Sequence, residues 1–221
     1  MGSKAEKTAA ALNDIYNRLF QRYGPQHWWP GETPFEVIIG AILTQSTAWS
    51  NVEKALANLK AEGLIDPEAL LSVSIDDLAM LIRPSGYYNA KAAKVKAFIE
   101  RMHGKYDGNL DVLFALDTAS LRQELLSIHG IGPETADSIL LYAAHRPIFV
   151  IDAYTRRIIG RLGLAPSNDS YESFQRLFME NLPHDEEMFN EYHALFVRHG
   201  KEACRKDPLC KSCSLLDICT Y

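Results

Sequence analysis

The stretch LLSIHGIGPETADSILLYA, residues Leu125 to Ala143, joins two apolar runs of helical spacing through a turn that carries two glycines. A proline and a glutamate follow at once. Gly130 and Gly132 predict a sharp backbone turn that another molecule can approach closely. Pro133 falls in the first turn of the second helix, where its missing N–H costs nothing. The stretch therefore reads as an αα-hairpin over about 119–144. Its second helix opens with unsatisfied amides, a setting that suits an anion such as a backbone phosphate. A G-x-G turn alone reads first as an ordinary structural hairpin, and it is the flanking sequence that overturns that reading.

Downstream runs AAHRPIFVIDAYTRRIIGRLG. An apolar segment, Ile148 to Ile151, delivers a single carboxylate, Asp152, ahead of a helix bearing Arg156, Arg157 and Arg161. A carboxylate set beside apolar residues costs free energy unless it is used or satisfied. Asp152 is thus either an N-cap or a group with chemistry to perform.

Further out, apolar residues recur at helical spacing through most of the 221 residues, and almost no segment alternates over a strand length. The fold class is all-α. Ser74, Asn89 and Ser170 each precede an apolar helical run and are expected N-caps, while RPSGYYN and RLGLAPSND punctuate the chain between helices. The hydrophobic share of 47% supports one large domain or two lobes. No apolar run reaches the length of a membrane span, and the N-terminal MGSKAEKTAAALND lacks the apolar centre of a signal peptide. An intracellular monomer without membrane contact is expected.

The net charge of -5 argues against a nucleic-acid partner, but its distribution is not uniform. Arg83 to Lys105 holds six Lys/Arg and one Glu, and His145 to Arg161 holds four Arg and one Asp. Acidity concentrates in Leu162 to Val197, with seven acids and one Arg, so basic faces remain for phosphate. The C-terminal segment CRKDPLCKSCSLLDIC places Cys204, Cys210, Cys213 and Cys219 in a C-x5-C-x2-C-x5-C pattern. Four thiols so close can ligate an iron–sulfur cluster or zinc, and the spacing alone accommodates either.

The hairpin, the aspartate about twenty residues beyond it and the cysteine loop together resemble the helix-hairpin-helix DNA glycosylases of the endonuclease III superfamily. The resemblance covers nearly the whole chain. FEVIIGAILTQSTAWSNVEKAL is similar to the family helix that carries a DNA-intercalating glutamine, here Gln45. GYYNAKAAKVKAFI resembles a second family marker, and Glu191 to Gly200 the helix leading into the cluster. The resemblance implies that Asp152 is catalytic, that the four cysteines hold a [4Fe–4S] cluster with zinc as the lesser alternative, and that damaged double-stranded DNA is the partner. It further implies DNA contacts from Gln45, Gly130, Gly132, Pro133, Glu134, Thr135 and Arg156, with Arg205, Lys206 and Lys211 of the loop facing phosphate. The first cysteine gap is one residue shorter than the family's usual loop.

The implied fold is two-lobed. One lobe is a six-helix barrel over 33–144 that ends in the hairpin; the other joins 1–32 to 145–221 and carries Asp152 and the cluster loop 204–219. Bifunctional members of the family carry a hairpin lysine that forms a Schiff base with the sugar. Glu134 stands at that position here, which implies a monofunctional enzyme. HWWPGETPFE, with Trp28, Trp29 and Pro30, and the later Trp49 resemble the base pocket of the endonuclease III-like 3-methyladenine DNA glycosylase. Electron-rich rings suit a cationic N-alkylated purine by cation–π attraction. Alternatives to be weighed are a mismatch glycosylase acting on uracil or thymine, a bifunctional glycosylase for oxidised pyrimidines, and a non-catalytic sensor of DNA structure.

Overall fold

The computed structural model describes residues 3–28, 31–166 and 168–221. Among them every regular element is a helix, as the periodicity predicts. The chain divides into two compact units, Trp29–Arg146 and the pair Met1–Trp28 with Pro147–Tyr221.

In the contiguous unit the central element is α2 (Pro34–Leu43). Its sequence PFEVIIGAIL leaves no polar stripe, and Phe35 through Leu43 are all buried. Thr33 caps it and Pro34 takes its first turn. Around it pack α3 (Trp49–Ala61), α6 (Tyr88–Tyr106) and α9 (Pro133–Tyr142). The short α4 (Pro67–Ser72), α5 (Ile75–Leu81), α7 (Leu110–Phe114) and α8 (Thr118–Leu126), with a 3-10 turn at Arg83–Ser85, complete the unit. Ser74 caps α5 through the Asp77 amide as expected.

The start of α6 differs from the sequence reading. Asn89 lies inside the helix, and the capping position falls to Tyr87, which holds a left-handed backbone (φ 47°) and gives no side-chain cap. The buried ammonium of Lys91 takes over the polar accounting there. It donates to Leu43 O at 2.8 Å, at the end of α2, and to Ser85 O at 2.7 Å, just ahead of α6. Burial, and then the neighbouring Lys94, pull its pKa down to about 8.

The second unit contains α1 (Lys4–Tyr23), α10 (Ala153–Arg161), α11 (Tyr171–Met179) and α12 (Glu186–Glu202), followed by the cysteine loop. Ser170 caps α11 as expected. Phe149, Phe178, Phe189, Tyr192 and Phe196 form its aromatic core, with the Phe149 and Phe178 rings stacked at 3.8 Å. The Tyr192 hydroxyl, inside that core, donates to Leu12 O of α1 at 2.8 Å. Gly200 of α12 is required by packing: a Cβ there would come within 2.3 Å of the Tyr154 ring of α10. Its absence lets α10 and α12 approach closely.

Candidate functional site

Asp152 takes the first of the two places its sequence context allowed, that of a helix cap. It is the N-cap of α10, its Oδ1 accepting from the Thr155 amide at 2.7 Å. Its Oδ2 lies 3.6 Å from Nε2 of His193 on α12, a buried imidazole. The segment that delivers it carries no regular secondary structure and is buried from Ile148 to Ile151. Side chains of α11 satisfy its backbone: Gln175 donates to Phe149 O at 2.8 Å, and the Ile151 amide donates to the Tyr171 hydroxyl at 3.3 Å. Burial pushes the Asp152 carboxyl up, but His193 and Thr155 outweigh it and hold the carboxyl below its ordinary value. Asp152 is therefore an anion at neutral pH, kept out of bulk water and aimed by a cap. His193 escaped the sequence reading because two histidines on an amphipathic helix give no local signal.

The hairpin forms as read, with α8 and α9 joined by the two-glycine turn. Gly130 has φ +81°, and a Cβ there would meet Lys94 side-chain carbons at 2.3 to 2.9 Å. Gly132 corrects the expectation of a second conformational glycine: its backbone is extended (φ -93°) and a Cβ would meet nothing within 4 Å. The space beside Gly132 is open, and α9 begins without a side-chain cap. Pro133 takes the first turn, Glu134 is exposed, and Thr135 is buried.

Gln45 follows α2 and reaches the hairpin within the same unit. Its Nε2 donates to Gly130 O at 3.1 Å and to Thr135 Oγ1 at 2.9 Å. Lys94 donates to its Oε1. Tyr87, which the sequence reading passed over, is 75% exposed. Since Lys91 bonds both Leu43 O and Ser85 O, Tyr87 and Gln45 each lie two residues from a carbonyl held by the same ammonium. A bulky side chain that is exposed at positive φ is the available signal for it.

Of the proposed base pocket, Trp29 and Pro30 lie outside the described residues. Trp28 is half-buried, and the Lys201 ammonium of α12 stands over its ring at 5.9 Å from the centroid. Trp49 is half-buried at the first position of α3.

The arginines of α10 are less available than the sequence suggested. Arg156 donates to Asp169 O at 2.7 Å and lies over the Phe174 ring. Arg157 donates to Cys204 O and Gly200 O. Arg161 donates to Cys204 Sγ at 3.3 Å and to the carbonyls of Arg205 and Lys206. Arg157 and Arg161 thus stitch the cysteine loop to α10, and Arg18 of α1 grips Asp217 of the loop at 2.7 Å. Arg205, Lys206 and Lys211 remain exposed.

None of the four cysteines takes part in a disulfide. The short first gap closes through a hydrogen bond from the Leu209 amide to Ala203 O at 2.9 Å. Burial pushes the Cys213 thiol up, against the Leu215 amide; Cys204, Cys219 and Cys210 push it further, so the four sulfurs are electrostatic neighbours. Among the described residues no three His, Cys, Asp or Glu side chains gather tightly enough for a single metal ion. As a donor set, four neighbouring thiols with an arginine and an amide pointing at sulfur fit an anionic iron–sulfur cluster. No helix among the described residues is long and apolar enough to cross a membrane.

The candidate DNA repair glycosylase MJ1434 of Methanocaldococcus jannaschii is 49% identical over 93% of this chain and 94% of its own. Endonuclease III of Sulfolobus acidocaldarius is 31% identical over 85% and 82% of the two chains. Among solved structures, the H. pylori 3-methyladenine DNA glycosylase bound to 1,N6-ethenoadenine superposes with a TM-score of 0.75 at 26% identity, covering 90% of this chain and 98% of that one. A trapped endonuclease III–DNA intermediate has the same fold, with a TM-score of 0.83 at 23% identity over 96% and 95% of the chains. The sequence profile of the HhH-GPD superfamily of base excision DNA repair proteins matches residues 39–184, and the chain belongs to that family.

Proposed function

We propose that this DNA glycosylase is monofunctional and hydrolyses the N-glycosidic bond of alkylated purines in duplex DNA. One observation carries the reading: the Asp152 carboxylate, its side chain 13% exposed, is fixed by the Thr155 amide and faces His193 at 3.6 Å, while the hairpin position that would carry an amine nucleophile is Glu134. The chemistry available is charge stabilisation of an activated bond and not imine formation.

The hairpin amides take a backbone phosphate beside Gly132. Gln45 fills the stack vacated by the flipped base, and Tyr87 offers an exposed ring to the distorted duplex. Trp28 and Trp49 supply the aromatic faces for the base. That a lysine ammonium stands over Trp28 supports its use as a cation-binding face. The C1′–N bond of an N-alkylated purine breaks with its electron pair returning to the ring, which neutralises the ring's charge, so no proton donor is needed. Asp152 stabilises the oxocarbenium-like sugar, and water adds to C1′ with its proton passing to solvent. Cys204, Cys210, Cys213 and Cys219 would hold the [4Fe–4S] cluster. When bound, it supplies a rigid core that orders the loop bearing Arg205, Lys206 and Lys211 toward phosphate.

The test is release of bases by the purified protein from methylated DNA, in parallel with duplexes bearing uracil or thymine opposite guanine and with oxidised pyrimidines. Release of 3-methyladenine is the expected result. Release confined to pyrimidines overturns the substrate assignment and leaves the glycosylase intact.

A further inference from the structure

Gln45 is held at both ends of its amide. Its two N–H donors serve the hairpin through Gly130 O and Thr135 Oγ1, and its carbonyl accepts from Lys94. Lys94 does not reach there loosely. It is half-buried, and its stem lies in the space that a side chain at Gly130 would occupy, with Cγ 2.3 Å from where a Cβ would sit. One turn earlier on α6, Lys91 fixes Leu43 O, two residues before Gln45. Two lysines of one helix thus secure the same loop, one through its backbone and the other through its glutamine side chain. Lys94 has no place in the phosphate contact or the bond cleavage described above. A lysine that spends its conformational freedom on a neutral amide has a positioning effect as its clearest consequence.

We propose that Lys94 is a positioning residue that preorganises Gln45 on the hairpin for entry into the vacated stack. An unrestrained glutamine loses rotamer freedom when it enters the duplex; one clamped between Lys94 and the hairpin has lost most of it beforehand. Gly130 is glycine for the same reason, since a side chain there would expel the Lys94 stem. The proposal rests on the stack-filling reading of Gln45.

The test compares binding of the full-length protein to a duplex bearing a stable abasic analogue, with 2-aminopurine opposite it, and to the same duplex intact. No base is released, so the outcome is independent of lesion preference. Lys94→Met is expected to lower the affinity ratio between the two duplexes by roughly fivefold and to reduce the 2-aminopurine response, with Lys94→Arg recovering most of both. Gln45→Ala should show a similar loss, and Lys94→Met should add nothing to it in the double variant. Thermal melting of each variant checks the fold. Equal loss on both duplexes, or losses that multiply in the double variant, would overturn the clasp and reduce Lys94 to a phosphate contact. Full discrimination by Gln45→Ala would remove the stack-filling reading, and the clasp with it.

Discussion

Asp152 Oδ2 faces His193 Nε2 at 3.6 Å, and the two side chains expose only 13% and 7% of their surfaces. One carboxylate oxygen caps a helix while the other meets an imidazole, so neither is left to bulk solvent. The arrangement separates two roles of the same residue, and substitution can test them apart.

Asp152→Asn keeps an oxygen for the Thr155 amide, since asparagine caps helices about as well as aspartate. It removes the charge. The variant is expected to fold, to bind damaged duplex within a few-fold of wild type, and to lose base release by about a thousandfold or more. A rate within about tenfold of wild type would leave Asp152 as a cap alone.

His193→Gln withdraws the group that holds the Asp152 carboxyl down while the burial that pushes it up remains. The folded-state value of wild type lies below the ordinary one, so Asp152 contributes stability that is complete above the ordinary carboxylate range and fades as pH falls through the folded value. In the variant the carboxyl should titrate at higher pH, and the acid limb of kcat/KM should follow it. Carbon-detected NMR titration of Asp152 checks this directly, and an unmoved titration would show that His193 does not govern the charge.

How much of this was readable from the sequence depends on how local the signal is. Pro133 after a glycine turn, Ser74 and Ser170 ahead of apolar runs, and Asp152 behind a buried segment are statements about a few consecutive residues, and the structure places the elements there. What stayed hidden depends on distant pairing. Nothing near His193 indicates an aspartate on another helix, and nothing near Lys94 indicates a glutamine three helices away along the chain. Asn89 misled because capping propensity was weighed against helix start alone, whereas Lys91 satisfies carbonyls on both sides of the junction. The local excess of arginine from His145 to Arg161 suggested a basic face for phosphate, but the Arg157 and Arg161 guanidinium groups donate to carbonyls of the cysteine loop.

Glu134→Lys restores an amine to the exposed second position of α9, where a cation opposes the helix dipole at a cost of about 0.5 kcal/mol. Borohydride in the presence of damaged duplex should trap no covalent complex with wild type and a detectable one with this variant. Trapping of the wild-type protein would mean that another amine attacks the sugar and that the enzyme is bifunctional.

The cysteine loop should carry iron and acid-labile sulfide in the native protein, and replacing any of Cys204, Cys210, Cys213 or Cys219 by serine should remove both. Zinc in their place would identify a single-ion site. Arg161→Ala withdraws donors from Cys204 Sγ and from the Arg205 and Lys206 carbonyls, and is expected to destabilise the loop by roughly 2 kcal/mol. Proteolysis within the loop, with iron content followed alongside, is the measurement; an Arg161→Ala protein as resistant as wild type would place the loop's stability in the thiols alone.

Lys91 gives a pH dependence with a definite sign. Its folded-state pKa of about 8 lies below the ordinary 10.5, so between those values the unfolded chain binds more protons at this site than the folded one. Stability conferred through Lys91 must therefore rise with pH across that window. Lys91→Met abolishes the titration and strands the Leu43 and Ser85 carbonyls, a cost that does not vary with pH. The stability difference between wild type and Lys91→Met should widen in favour of wild type from about pH 8 to pH 10.5, by an amount on the order of 3 kcal/mol. Urea unfolding of both proteins at a series of pH values measures it, and a difference that stays flat would mean that the buried amine keeps its ordinary affinity for a proton.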